Sequence, residues 1–363
     1  MNENSIHLSG LNGLRAIAAL SVVIAHVSLK GIADFGLPYL FDLPMAGYGV
    51  TLFFVISGFL ITYLLLQELR KTQTVDIRKF YIRRILRIWP VYYLFLLVCI
   101  ATFFVLGEQR SVLVKEMWFY VFFAANIPFV FQSGIIILVH YWSIGVEEQF
   151  YLIWPWIVKA MRTSLLKVAV LIFVILFLLK IVFWITLGAD SLAYRFLTIT
   201  RFHCMMVGAM GAILFHNDHK LFISLTTNRI IQLGSWLLFF LLGFNLMSIP
   251  AVLGQEFIAF ASLSMIMGQI SINQRIINLE NVFFDSVGKI SYGIYVIHPL
   301  IIFILSKVYK DLNIVPALKY GLVYSSVVIF TLLIAWLSYT YFEKTFLKFK
   351  TRFAVVNSSN SMS

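Results

Sequence analysis

Arg15 and His26 bracket a run, Ala16–Ala25, that is almost wholly apolar, and apart from His7 they are the only ionisable side chains between Glu3 and Lys30. A guanidinium and an imidazole within a membrane-length helix are costly to place, so they mark a pathway or a reaction centre rather than lipid contact. Eleven residues at ~100° each make a little over three turns, which puts both side chains on nearly one helical face, ~16 Å apart along the axis. Two further segments carry polar faces of the same kind. Ser143, Glu147 and Tyr151 are four apart within Tyr141-Trp-Ser-Ile-Gly-Val-Glu-Glu-Gln-Phe-Tyr151, and Ser291, Tyr295 and His298 share a face later in the chain. A neutral imidazole beside a carboxylate can remove a proton from a hydroxyl, the carboxylate fixing the tautomer and supporting the imidazolium. The competing reading for each residue is a hydrogen-bond network that ties helices together. A basic loop, Lys79 to Pro90, adds Arg84 and Arg87, three apart. They suit bidentate contacts to phosphate, or the ordinary role of a juxtamembrane anchor on anionic lipid.

The elements that position these residues follow from composition. The chain has 363 residues, of which 61% are hydrophobic and 12% charged, with 35 Phe. Its mean hydropathy of +0.92 places it among all-α polytopic membrane helix bundles. The net charge of +12 comes from short basic runs between apolar segments, the distribution set by membrane orientation rather than by nucleic acid, which is excluded as a partner. Cys99 and Cys204 lie in apolar segments without metal-ligand or Cys-x-x-Cys spacing and read as small buried hydrophobes, so no metal is expected. Arg15 inside the first apolar stretch, and no small-residue cleavage pattern before Lys30, argue against a removed signal peptide.

About ten transmembrane helices of ~20 residues are expected, at 12–29, 46–66, 89–107, 142–158, 166–187, 202–215, 230–248, 251–270, 287–306 and 320–342. The segment 117–131 is short and contains Asn126 and Pro128, which suits a re-entrant or interfacial piece. Charge decides whether it crosses. With both termini cytoplasmic and 117–131 not crossing, 19 Lys and Arg lie inside against eight outside, whereas a crossing gives 13 against 14. In the favoured topology His26, His298 and Glu147 all reach the outer half of the membrane, and that coincidence favours function for the set. Ser57 and Gly58, in Phe53-Phe-Val-Ile-Ser-Gly58, are expected to pack helices closely. Lys180 is expected to snorkel, Glu256, His140 and His203 to be interfacial, and His7, His216 and His219 to sit in hydrophilic flanks.

Together these motifs resemble the acyltransferase 3 family of integral membrane acyltransferases. The resemblance covers nearly the whole chain. It rests on Gly13-Leu-Arg15 with His26 downstream, Phe53-Phe-Val-Ile-Ser-Gly-Phe-Leu60, Arg84-x-x-Arg87 before Ile-Trp-Pro, Trp142-Ser-Ile-Gly-Val-Glu-Glu-Gln-Phe-Tyr151, and Ile290-Ser-Tyr-Gly-Ile-Tyr-Val-Ile-His298. It implies a cytoplasmic acyl-CoA co-substrate, most often acetyl-CoA, and an acceptor hydroxyl on a cell-surface carbohydrate, lipid-linked glycan or glycolipid, reached from a bacterial plasma membrane with membrane lipid around it. Carried over by position, Arg15 and His26 would be essential, Arg84 and Arg87 would contact the CoA phosphates, and Glu147 and His298 would line the reaction pore. Many members have an acidic residue just before the Phe-Phe pair, where Thr51-Leu52 stands here, and a Glu-Arg-Pro-like ending is Glu343-Lys-Thr. The extracytoplasmic domain frequent in the family is not expected.

The sequence is therefore read as one acyltransferase domain over 1–345 and a short basic, polar cytoplasmic tail over 346–363. Its expected activity is an acyl-CoA-dependent O-acyltransferase, with His26 as base assisted by Glu147, and Arg15, Arg84 and Arg87 placing the donor. Ser143, Tyr151, Tyr295 and His298 are expected on the substrate side. A proton-coupled transporter or flippase, using the same His and Glu as a relay, is the alternative.

Overall fold

The computed structural model describes residues 8–28, 32–38, 43–106 and 110–353, together with two two-residue strands, β1 (Ser5–Ile6) and β2 (Asn357–Ser358), which pair in parallel. His7, Lys30 and most of the tail after Phe353 lie outside the described residues. All other regular structure among them is helical. The order is α1 (Leu11–His26), α2 (Ile32–Asp34), α3 (Met45–Thr72), α4 (Ile77–Leu106), α5 (Arg110–Val121), α6 (Asn126–Val130), α7 (Tyr141–Ala160) and α8 (Leu165–Leu187). Then come α9 (Leu192–Thr200), α10 (Phe202–His216), α11 (Lys220–Thr226), α12 (Arg229–Gly243), α13 (Ala251–Ile270), α14 (Val282–Lys289), α15 (Ser291–Tyr309) and α16 (Pro316–Ser338). A π-helical turn, Tyr339–Glu343, joins α16 to α17 (Lys344–Thr351). A single 3₁₀ turn, Ile136–Leu138, precedes α7.

Among the described residues seven helices are long and apolar enough to cross a membrane: α3, α4, α8, α9 with α10, α13, α15, and α16 continued to Thr351. An eighth is reached if α11 and α12, bent by 53° at their junction, are one span. Two of the ten expected spans fall short for reasons that bear on function. α1 is only 16 residues long, and the Glu147-Glu148-Gln149 run lowers the apolarity of α7. These two helices carry Arg15, His26 and Glu147. The segment 117–131 is not one span: α5 stops at Val121, the chain turns at Phe123 with φ 56°, and five-residue α6 follows. Gln149 of α7 anchors this turn, exchanging hydrogen bonds with Asn126 and donating to the Phe123 carbonyl at 2.9 Å.

α1 sits at the centre. Its alanines and valines are buried on every side, and it packs against α3, α14 and α15, as expected of a helix that is apolar all round. In a bilayer helices associate through close packing rather than the hydrophobic effect, so small residues gather where backbones meet. Gly58 of α3 and Gly208 of α10 show this: a Cβ on Gly58 would fall onto the Met205 carbonyl oxygen, and one on Gly208 onto that of Val55. The expectation for Ser57-Gly58 is met. α8, by contrast, is peripheral, with Leu171, Ile175, Leu178 and Trp184 facing outward. Cys99 and Cys204 are free and buried. Residues 346–351, expected to belong to the tail, continue α17, which packs on α4.

Candidate active site

The stretch from Lys79 to Pro90 is helix rather than loop, because α4 begins at Ile77. That places Arg84 and Arg87 on a rigid element beside α1, α3, α7 and α15, and the five helices line a partly open cavity of about 740 Å³, its mouth included. Arg15, Ser57, Arg84, Arg87, Ser143, Glu147, Tyr151 and Tyr295 all line it. Arg84 is 8% exposed, and its guanidinium lies 5.9 Å from the Phe80 ring centre and 5.8 Å from that of Tyr151. Its Nε has no hydrogen-bond partner. Among the described residues none of the ion pairs involves Arg15, Arg84 or Arg87. The nearby carboxylates are engaged elsewhere: Glu147 accepts from Ser57 Oγ at 2.7 Å and from the Tyr151 hydroxyl at 3.5 Å, and Glu148 accepts from Trp89 Nε1 at 3.2 Å. Three guanidiniums share this cavity with one carboxylate, Glu147, and pair with no acid among the described residues, so positive charge is in excess there, and a fork-shaped guanidinium favours phosphate or carboxylate.

Depth along the helices separates this group from the histidines. The Tyr292 hydroxyl donates to the Ile88 carbonyl at 3.0 Å, level with the Trp89–Glu148 contact. His298 lies six residues further along α15, or ~9 Å. Ser143, one turn before Glu147, is the α7 residue that meets α15, its hydroxyl 2.5 Å from that of Tyr295. Glu147 thus stands with the arginines, not level with His26 and His298 as expected, because α7 meets the histidine level with its N-terminal end.

His26 has a different partner from the carboxylate expected. Its Nδ1 is 2.7 Å from Nε2 of His298, with the two rings stacked at 5.0 Å. His298 is fully buried, and its Nδ1 donates to the Ile294 carbonyl at 3.2 Å. That bond leaves Nε2 of a neutral His298 as an acceptor, so His26 donates from Nδ1 and keeps the lone pair of its ring on Nε2. The expected role of His26 as a base therefore has its tautomer set by His298. Neither histidine lines the arginine cavity. Tyr295 links the two regions, its ring being 5.9 Å from that of His298.

Two features escaped the sequence. His140, expected to be interfacial, is 2% exposed, donates from Nε2 to the Val296 carbonyl at 3.0 Å, and stands 5.3 Å from the His298 ring. Its position two residues before the Trp142-Ser motif was the available signal. Lys180 does not snorkel. It is fully buried, its Nζ 2.8 Å from Glu256, and Glu256 also lies 3.0 Å from Nε2 of His203. A lone Lys in one apolar helix and a lone Glu in another were complementary, but sequence spacing does not show that α8 and α13 meet. Thr51, in the Thr51-Leu52 pair before Phe53-Phe54, accepts from Arg201 at 3.1 Å.

An all-helical bundle with membrane-crossing helices around an arginine-lined cavity, with a histidine pair beyond it, is an integral membrane protein. The chain belongs to the acyltransferase 3 family, the match to the family's acyltransferase domain running over residues 8–340. It is 28% identical over 366 residues to "O-acetyltransferase OatA" of Staphylococcus aureus (strain NCTC 8325 / PS 47), covering 93% of this chain and 57% of that one. It is 29% identical over 375 residues to "Putative O-acetyltransferase SACOL0978" of Staphylococcus aureus (strain COL), covering 94% and 58%. The chain thus spans a little over half the length of these relatives. No solved structure matches it. The family and the helices together make it a multi-pass membrane protein of the acyltransferase 3 family.

Proposed function

We propose that this acyltransferase moves an acetyl group from cytoplasmic acetyl-CoA to a hydroxyl of an extracytoplasmic polysaccharide, lipid-linked glycan or glycolipid. The observation that carries the donor side is the arginine cavity, which Arg15, Arg84 and Arg87 line without an ion-pair partner among the described residues. The diphosphate of CoA supplies the missing negative charge, and the pantetheine arm runs past Ser57 and Glu147 toward Tyr295. The surrounding membrane is a bacterial plasma membrane, with both termini in the cytoplasm and α17 packed at the cytoplasmic end of the bundle. The names of the relatives support acetyl as the group and a hydroxyl as its acceptor.

In the reaction, Nε2 of His26 takes the proton of the acceptor hydroxyl as its oxygen attacks the thioester carbonyl. The C–S bond then breaks, CoA leaves as the thiolate, and the proton on His26 returns to it. His298 holds the His26 ring from behind by accepting from Nδ1. Such positioned proton transfer contributes roughly 10²–10⁴-fold.

The test combines binding and turnover. Acetyl-CoA, but not acetate, should raise the thermal midpoint of the purified protein, since a ligand that binds only the folded state stabilises it. Membranes supplied with labelled acetyl-CoA should acetylate glycan, and His26→Ala should not. Stabilisation by acetate alone would favour the transporter, and full transfer by His26→Ala would remove the catalytic assignment.

A further inference from the structure

We infer that α17 completes the donor site as a subsite for the 3′-phosphate of the CoA nucleotide, so that this acyltransferase distinguishes CoA thioesters from carriers lacking that phosphate. The inference rests on the donor reading above. Its ground is a second compartment, of about 1380 Å³ empty volume, that shares Arg15, Arg87 and Tyr292 with the arginine cavity. The two spaces therefore adjoin, and the second holds the cations farther from the histidines.

Lys344, Lys348 and Lys350 of α17 line this compartment, with Lys289 of α14. Lys289 is held at 2.9 Å by Asp285, but the α17 lysines are not neutralised. No ion pair among the described residues involves Lys344, Lys348 or Lys350. Lys344 stands over the Tyr339 ring at 5.3 Å. Lys350 is only 9% exposed. A nearly buried ammonium with no carboxylate is costly, and it points to a ligand that brings the charge. The compartment's one carboxylate, Glu343, is turned by the π-helical segment to accept from Ser338 at 3.3 Å.

The lysines are also fixed in place. Beyond α17 the Phe353 carbonyl accepts from Arg83 Nη1 at 2.9 Å, and Nη2 of the same guanidinium pairs with buried Glu68 at 2.9 Å. A helix tied down in this way presents its lysines as a preformed wall. CoA carries two groups of phosphates, the diphosphate that leads into the pantetheine arm and the ribose 3′-phosphate beyond it. If Arg84 and Arg87 take the first, the cations of the adjoining compartment are placed to take the second. Point charges on flexible stems suit a terminal phosphate monoester.

The experiment compares acetyl-CoA with acetyl-dephospho-CoA, which keeps the diphosphate and arm and lacks only the 3′-phosphate. With labelled acetyl groups and wild-type membranes, kcat/KM should favour acetyl-CoA by roughly 10- to 100-fold, the range for one or two charge-assisted contacts. Lys348→Gln, at an exposed position, and Lys344→Gln/Lys350→Gln should lose most of that preference through acetyl-CoA alone, leaving acetyl-dephospho-CoA unchanged. Equal use of both thioesters by the wild type, or a preference that survives both variants, overturns the subsite while the donor reading stands. Use of neither thioester overturns the donor reading itself.

Discussion

Replacing Arg84 with Met should make the protein more stable and less able to hold its donor, two effects of opposite sign from one side chain. Arg84 is buried, lacks an ion pair and leaves Nε unpartnered. The effective cost of burying an unpaired ion is several kcal/mol, and its two ring contacts, long at 5.9 and 5.8 Å, return at most ~2 kcal/mol each when desolvated and offset only part of it. An unbranched apolar side chain fills the space without that cost, so the variant without donor should gain about 1–2 kcal/mol, or roughly 1–3 °C in thermal midpoint for a chain of this length. Donor binding moves the other way. A charge-assisted contact of ~1.5–3 kcal/mol corresponds to roughly 10- to 150-fold in affinity. At acetyl-CoA one hundred times the wild-type Kd, stabilisation of ~2.7 kcal/mol would fall to ~0.4 kcal/mol for a hundredfold loss. Thermal unfolding of purified protein, with and without acetyl-CoA, reads both effects. A lowered midpoint without donor, joined to an undiminished shift on adding it, would show that Arg84 is a structural cation and that the cavity is not an anion receptor.

Other consequences follow from the same geometry. His298→Ala should lower kcat by roughly 10²-fold through loss of the ring that orients His26, while acetyl-CoA still stabilises the variant; loss of both would assign His298 to folding. Lys180→Met should destabilise by about 3 kcal/mol, the low end for a broken buried pair because His203 still faces Glu256, and Lys180→Met/Glu256→Met should recover most of that in thermal midpoint. A double variant no better than the single would mean the pair is held for something other than charge balance. Gly58→Ala should reduce the yield of monodisperse protein, since its Cβ meets the Met205 carbonyl, whereas Gly234→Ala, with nothing within 4 Å of the new atom, should not. Size-exclusion profiles of the two side by side decide the point.

What could be read ahead of the structure was local or compositional. Apolar runs located a helix at every expected span, and the 3.6-residue period put Ser143, Glu147 and Tyr151 on one face that does line a cavity. Arg84 and Arg87, ambiguous between lipid anchor and phosphate site, prove to line the cavity, because α4 starts thirteen residues before Pro90 and carries them into the bundle. What could not be read was relative height and partnership between helices. Counting residues from a loop assumes every helix begins at the same membrane level. α7 begins inside the bundle instead, after the turn Ile136–Leu138, and this shift separated Glu147 from His298. The His26–His298 bond, 272 residues apart in sequence, has the same origin, as does the Lys180–Glu256 pair.

The placement of Arg15 and His26 on one helix has a mechanical consequence. α1 is buried against α3, α14 and α15 along its length, with Ala16, Ala18, Ala19 and Ala25 fully enclosed, so the ~16 Å between the two side chains is fixed by a rigid rod rather than by a hinge. An enzyme that moved its donor site toward its acceptor would need that rod to slide past close-packed neighbours, and packing this tight resists continuous deformation. Under the proposed reading the reach must come from the substrate. CoA stays anchored at the arginines by its phosphates, the extended pantetheine arm spans the gap, and the acetyl carbonyl arrives beside the His26–His298 pair. Only the acyl group then needs to leave the bundle on the far side, which keeps the charged nucleotide out of the membrane and lets one short helix with a polar side chain at each end connect two compartments without opening a channel between them.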